Sequence, residues 1–469
     1  MTGRAGRLAL ARKALAAGNP STAIAEASAA LAQDPHSPQA HMVRARAHLA
    51  AGAAVMAFAD LIDALHLPGI GPALAQRIDT MMVDDLLIDL DRNHFKAEAL
   101  AGAEGNFAHA PRLSAVVSLL GLLRRHDAVA ARALGESLSP EQRSSPALRL
   151  LARAHLLAGD LDRAIAAHAE ANALAGRKPE DDSNFAAMIQ HRFLLSRGMR
   201  DGLAFPARHK LAICAAIRDE GDDLAEWIAF HAHLGVDAFY LYDNESSDRT
   251  QEILRELAPR FNITHYHLAR QPAQKLAYQH FFEAHRFEAE WVALIDGDEY
   301  FVPEGESLLP YLDRSADCAA IAINWRVFGT AGHATRPDDL CISAFTRRGA
   351  DDHAAHTLIK CILRPHSVMR WRSPHEQLVL GHYEDGNGER VVPFASRVSP
   401  PRYGGLAVHH YALKSRAQAE QKLKRGRPVA DTRPDKFRDQ SYITWYDANE
   451  VEDLSAARFA GAVKGMLGP

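Results

Sequence analysis

The chain of 469 residues has few cysteines, no long apolar run and no excess of positive charge, and each absence excludes something. Its four cysteines, Cys214, Cys318, Cys341 and Cys361, lie far apart without paired spacing. They support neither a disulfide framework nor a zinc site, and read as small buried residues in a reducing compartment. No uninterrupted apolar stretch reaches the length of a membrane span. After Met1-Thr-Gly-Arg-Ala-Gly-Arg7 the Ala-rich segment is broken by Arg12, Lys13 and Gly18, so no signal-type h-region forms. A net charge of −4 gives no general drive towards nucleic acid or anionic membranes. The expectation is a cytoplasmic protein without a transmembrane segment or a nucleic-acid partner, with peripheral contact at the inner membrane left open.

What is present is a folded-protein composition, 47% hydrophobic and 24% charged, in a chain long enough for two or three domains. Residues 1–200 are Ala/Leu-rich, helical in period and repetitive. Ala11, Leu15, Gly18 and Ala23 recur at one constant offset as Ala45, Leu49, Gly52 and Ala57, with Pro35 and Pro68 closing the two units. The frame returns as Ala152, Leu156, Gly159 and Ala164, and a degraded unit places Leu122, Arg125 and Ala130 one such offset earlier. Residues 69–110 do not keep it. Small residues at fixed places let paired helices approach, and glycine permits the tight reversal between them. The period, about 34 residues, resembles that of tetratricopeptide repeats, which implies stacked helix pairs with a concave face for a protein partner. Leu67-Pro-Gly-Ile-Gly-Pro-Ala-Leu-Ala-Gln-Arg-Ile78 has the form of a helix-hairpin-helix, but it stands once and without a Lys/Arg cluster. It reads as a turn entering a helix. One more helix is expected over 184–197, and 198–209 reads as a linker.

From residue 207 to 469 the pattern changes to alternating strands and helices, the mark of a mostly parallel α/β sheet. Strands are expected over 211–217, 238–242, 263–268 and 291–295, with helices over 222–234, 248–257 and 275–287. Ser246 or Ser247 is the expected cap of the second helix. Ligands of such sheets lie outside the carboxyl ends of the strands. There the chain places Arg218-Asp-Glu220, Asp243-Asn244 and Asp296-Gly-Asp298. Two carboxylates at i and i+2 on extended backbone project to one side and suit a hard cation, Mg²⁺ or Mn²⁺. Gly297 between them lets a ligand approach the main chain. The competing reading, an acidic turn, weakens because the other strands also end in polar residues.

Ile217-Arg-Asp-Glu220, Glu226-Trp227, Tyr240-Leu-Tyr-Asp-Asn-Glu-Ser-Ser-Asp248 and Ile295-Asp-Gly-Asp-Glu299 resemble a GT-A glycosyltransferase of the family 2 type. Ile323-Asn-Trp-Arg-Val-Phe-Gly-Thr-Ala-Gly-His333, Ser373-Pro-His375, His410-Tyr-Ala-Leu-Lys-Ser415 and Lys424-Arg-Gly-Arg427 are similar to glycosyltransferase family 92 and its bacterial relatives. The departures are Arg218, Asp219 and Glu245. The resemblance implies a nucleotide-sugar donor, a UDP-hexose first among them, and a glycan or glycoconjugate acceptor. It implies Glu220 and Asp243 at base and ribose, Asp298 on the metal, and Asp296 on ribose or metal. His410 would be a third ligand, with His409 beside it as the alternative. An inverting displacement needs a base for the acceptor hydroxyl. Glu376 is preferred, with Asp338 and Asp339 as alternatives. Trp325 and His333 fall where acceptor recognition is expected. Lys414, Arg416, Lys422, Lys424, Arg425 and Arg427 form either a diphosphate clasp or the solvated face of a helix, with Arg425 and Arg427 favoured for the donor.

The whole is therefore expected to be α-helical repeats followed by a GT-A-like α/β domain. Two alternatives stand beside the transferase. A sugar nucleotidyltransferase should carry a Gly-rich phosphate loop after its first strand, and Ile217-Arg-Asp-Glu-Gly-Asp-Asp223 is acidic with one glycine. An inactive interaction scaffold would have no need of the Asp296/Asp298 pair.

Overall fold

Alanines at helical spacing with a glycine between helices form the hairpins their pattern predicts. In a computed structural model describing residues 3–67, 70–87, 100, 107, 109–196, 207–269, 272–425 and 439–468, the first part of the chain is helical. Helices Arg4–Ala16 and Pro20–Gln33 pack as a pair, as do Pro38–Ala50 with Ala54–His66 and Ser145–Leu157 with Leu161–Leu174. Gly18, Gly52 and Gly159 occupy the turns at φ of 69°, 74° and 76°, the left-handed region glycine enters without strain. The repeat alanines, among them Ala11, Ala23, Ala45, Ala57 and Ala164, are buried between the helices.

The degraded unit, Pro111–Arg124 with Ala128–Glu136, departs from the expected frame by one residue. His126, not Arg125, takes the left-handed turn position at φ 65°, and Leu123 and Ala131 are the buried residues. Asp127 then caps the second helix by accepting the Ala130 N–H. Gly71 is the N-cap of helix Pro72–Thr80, and residues 68 and 69, where the Gly-Ile-Gly segment was expected to turn, lie outside the described residues. Among the described residues no helix is long and apolar enough to cross a membrane.

The chain divides into two compact units, Met1–Ala186 and Ala187–Pro469, so the division falls within helix Ser183–Ser196. The second unit is built on a ten-stranded mixed sheet. In chain order its strands are β1 (His209–Ile217), β2 (Ala238–Asp243), β3 (Ile263–His267), β4 (Ala289–Leu294), β5 (Glu299–Pro303) and β6 (Ala320–Val327). Next come β7 (Arg347–Arg348), β8 (Ile359–Leu363), β9 (Val368–Trp371), β10 (Gln377–Val379), β11 (Tyr383–Glu384), β12 (Arg390–Val391) and β13 (Leu406–His410). The order β12-β11-β6-β8-β4-β1-β2-β3 forms the main path, with β13 joining β5 to β6 and β7, β9 and β10 outside it.

β4, β1, β2 and β3 are mutually parallel, while β8 runs antiparallel between β4 and β6. Helices Leu224–His233, Thr250–Leu257 and Ala273–Ala284 make the connections between the parallel strands. Trp227, Trp291, Phe230 and Tyr300 are fully buried in the core they cover. All four cysteines are free and buried, as their spacing implied.

Candidate active site

Four strand ends deliver the site. After β4 the chain turns through Asp296-Gly297-Asp298 into β5, and β13 pairs antiparallel with β5, setting His410 against Glu299. The Tyr411 N–H donates to the Asp298 carbonyl at 2.9 Å, stitching the end of β13 to the acidic turn. His410 Nε2 thereby lies 3.7 Å from Asp298 Oδ1. Neighbours on a strand face opposite sides, which separates the two histidines. His409 packs on Phe328 and faces Ser455, so His410 is the one at the acidic turn.

Asp298 is 7% exposed, and its second oxygen accepts a hydrogen bond from Lys422 of helix Arg416–Arg425. Burial by itself would raise this carboxyl, but Lys422 and His410 outweigh it and hold the group well below its usual range. Burial also lowers His410, against the pull of Asp298, keeping the ring in the neutral form that binds metals.

Asp296 is held elsewhere. Its Oδ2 accepts from Lys360 at 2.7 Å and its Oδ1 from Gln274 at 2.6 Å. Register explains the lysine. Cys361 on β8 pairs with Leu294, which carries Lys360 past the end of β4 to the turn. Lys360 is fully buried and also lies 3.1 Å from Glu299, itself fully buried. Burial drives Glu299 upward, and the two carboxylates drive Lys360 upward.

The carboxyl ends of β1 and β2 enclose a cavity of about 400 Å³ with the segment that follows β13. Five carboxylates line it, Asp219, Glu220, Asp222, Asp223 and Asp248, against two lysines, Lys414 and Lys422. Lys414 spans Asp223 at 2.6 Å and Glu220 at 3.2 Å. Gly297 has a different use from the expected one. A Cβ there would lie 3.1 Å from Glu220 Cγ, so its bareness admits the Glu220 side chain over the turn. Neither Ser246 nor Ser247 caps the following helix. Ser246 Oγ accepts the Asp219 N–H, and Asp248, expected as a first-turn acid, instead precedes helix Thr250–Leu257 and accepts the Thr250 N–H at 2.9 Å, while Glu252 is the acid of the first turn.

Other expected site residues lie apart from this cavity's lining. Asp243 is buried, its oxygens accepting from Ser246 N–H at 3.2 Å and Gln251 at 2.7 Å, at the end of β2. Glu376 is 3% exposed, and its carboxylate is taken by Arg372 at 3.2 Å and the Ser396 N–H at 2.9 Å. That geometry pins the loop at Ser396, whose φ is 70°, and does not suit a base awaiting a hydroxyl. Asp338 is exposed, and Asp339 pairs with Lys464. Trp325 is 4% exposed and lies against His410, with ring centroids 4.1 Å apart, and His375 lies behind it at 5.1 Å. It steadies the histidine where an acceptor contact was expected. His333 latches a loop through the Ala344 carbonyl at 3.1 Å. The side chain of Arg425 and all of Arg427 lie outside the described residues.

Sequence reasoning missed Lys360, Gln274 and Asp223. Lys360 carries a signal, a lone cation in the apolar strand Ile359–Leu363. Gln274 and Asp223 carry none.

Glu226 supports the site from beneath. Its carboxylate accepts the Cys341 and Ile342 N–H groups at 2.6 and 3.0 Å, and the adjacent Trp227 donates to the Glu299 carbonyl at 2.7 Å. Burial pushes Glu226 up to about 7 despite those donors. A carboxyl whose pKa rises on folding favours the fold fully below its unfolded value, and that advantage is lost as pH climbs through the folded value. The unfolding free energy from urea titration should therefore fall by about 3 kcal/mol between pH 4.5 and 8 from this group, and Glu226→Gln should flatten that slope.

Polar groups are thus gathered at the carboxyl ends of parallel strands, beside a cavity, which is the edge where ligands of α/β sheets lie. Residues 209–378 match the family model described as Glycosyltransferase family 92. A glycosyltransferase family 92 protein of Oryza sativa subsp. japonica is 26% identical over 208 residues, covering 43% of this chain and 33% of the relative. One from Ricinus communis is 30% identical over 137 residues, covering 28% of this chain and 25% of the relative. The chain thus spans a third or less of the length of these relatives. Among solved structures, a thermophilic TPR protein of Thermus thermophilus aligns at 19% identity and a TM-score of 0.26, over 40% of this chain and all of that one. S. aureus TarS 1-349 in complex with UDP aligns at 15% and 0.23, over 33% of this chain and 47% of that one. Scores this low carry no argument about either unit.

Proposed function

We propose that the second unit transfers a hexose from a nucleotide sugar, a UDP-sugar first among donors, to a hydroxyl of a glycan or glycoconjugate acceptor. The observation that carries this reading is the acid-lined cavity outside β1 and β2, with Asp298 at its Lys422 side. The family match supports it. Five carboxylates repel a diphosphate unless cations accompany it, and Lys414 and Lys422 are already engaged by acids. A divalent cation, Mn²⁺ or Mg²⁺, resolves that conflict.

The donors fit such an ion in part. Asp298 Oδ1 and neutral His410 Nε2 face each other at 3.7 Å, whereas Asp296 is withheld by Lys360 and Gln274. When bound, the ion supplies Lewis-acid neutralisation of the diphosphate. In this reading Lys422 exchanges its contact with Asp298 for a phosphate oxygen, and Asp296 and Glu220 accept from donor hydroxyls through lone pairs beyond those that Lys360, Gln274 and Lys414 engage. The three-donor cluster found among the described residues, His41, Asp60 and Asp63, lies in the helical unit. There Arg44 grips Asp60 through Nε at 2.9 and 3.0 Å, which leaves that cluster structural.

The helical unit is proposed as a recruitment module. The stacked helix pairs of the repeat pattern support docking of a protein partner. Synthesis of a cell-surface polysaccharide is the proposed setting.

A thermal-shift panel of UDP-, GDP- and dTDP-sugars with and without Mn²⁺ tests the donor reading. One donor, with the ion, should raise the melting temperature; a ligand at a hundredfold its Kd adds about 2.7 kcal/mol. No shift with any donor would remove the reading.

A further inference from the structure

The second unit contains another cavity that the transfer reading does not use. It measures about 260 Å³ and lies between one face of helix Ala273–Ala284, strand β9 and helix Ser183–Ser196, which belongs to this unit from Ala187 onward. Two buried polar atoms on its lining residues have no hydrogen-bond partner. His191 is 4% exposed with Nδ1 unpaired, and Trp371 Nε1 is also buried and unpaired. Burial, with Arg286 nearby, lowers His191 to about 4 and keeps it neutral.

The remaining lining sets the chemistry. Lys275, Arg286 and Arg370 bring three cations against one acid, Glu283. Trp371 and Phe282 contribute aromatic ring surface, while Gln190 and Gln279 contribute amides. Aromatic surface, amides and guanidinium forks together match a pyranose that bears a carboxylate. The volume lies below the usual range for drug-sized ligands, which favours one sugar ring over a nucleotide.

We propose that this cavity binds a carboxylate-bearing sugar, a hexuronate unit of a glycan. The assignment is independent of the donor site, because the two cavities share no lining residue.

Isothermal titration of the full chain with D-glucuronate, D-glucose and inorganic phosphate tests it. Glucuronate should bind saturably and at least tenfold more tightly than either control. Lys275→Glu combined with Arg370→Glu should weaken it tenfold or more, as should filling the cavity by His191→Phe. Lys275 is exposed, so Lys275→Glu alone keeps the test available should the others fail to fold. Asp298→Asn should leave this binding unchanged. The proposal is overturned if wild-type protein does not bind glucuronate, if phosphate binds equally well, or if Asp298→Asn abolishes binding while the rim variants do not.

Discussion

Asp298→Ala should lower sugar transfer, and hydrolysis of the donor in the absence of acceptor, by about a hundredfold or more. A Lewis-acid centre contributes several kcal/mol to stabilising the leaving diphosphate, and about 1.4 kcal/mol is tenfold in rate. Asp298 is the carboxylate that faces His410 and holds Lys422, so its removal takes away one proposed cation ligand and strands an ammonium. Initial rates with a UDP-hexose and Mn²⁺ measure the effect, with circular dichroism to show the fold intact. Unchanged rates would end the assignment of this turn as the catalytic centre.

Asp298→Asn separates charge from volume. A carboxylate depressed on folding stabilises above its unfolded pKa of about 4 and loses that contribution as pH falls through the folded value. The variant should therefore be less stable than wild type at pH 7, with the gap closing in acid.

Lys360→Met should destabilise the second unit by about 3–5 kcal/mol, the usual result of removing one partner from a buried ion pair. Lys360 and Glu299 are both fully buried, and Asp296 shares the same ammonium. Without it the Asp296 carboxylate loses its countercharge, and the buried Glu299 carboxyl, already driven upward, loses the cation that held it down. Adding Glu299→Gln should recover part of the loss by removing one of them. All five tryptophans, at 227, 291, 325, 371 and 445, lie in the second unit, so urea unfolding followed by tryptophan fluorescence reports on it alone. A loss below about 1 kcal/mol would mean that Lys360 is not the countercharge of the turn.

Much of the architecture was legible because it is local. Glycines spaced by one repeat length, with alanines at fixed offsets, define helix hairpins, since both the turn and the close approach are short-range requirements. The third hairpin shows where such reading slips. Without a glycine to mark the turn, the sequence frame falls one residue early, and only backbone geometry identifies His126. The apolar runs ending in acids likewise announced β1, β2 and β4 and the edge on which they end.

The site was legible in its acids and not in their partners. Asp296 and Asp298 stand two apart and were expected to act together, yet each is claimed by a different lysine. Glu376 illustrates the reverse error. An acid in a motif block reads as a base until the structure shows Arg372 and the Ser396 N–H occupying it.

By itself, then, the sequence determined the helical repeats, the α/β order and the acidic rim, because period, turn chemistry and strand termination act within a few residues. The tertiary structure decided which cation meets which acid. Lys360 lies 64 residues from Asp296 and Lys422 lies 124 from Asp298, distances bridged by the β4–β8 register and the packing of helix Arg416–Arg425. Strand register and helix docking are set by the whole core at once, so no local pattern encodes those pairings.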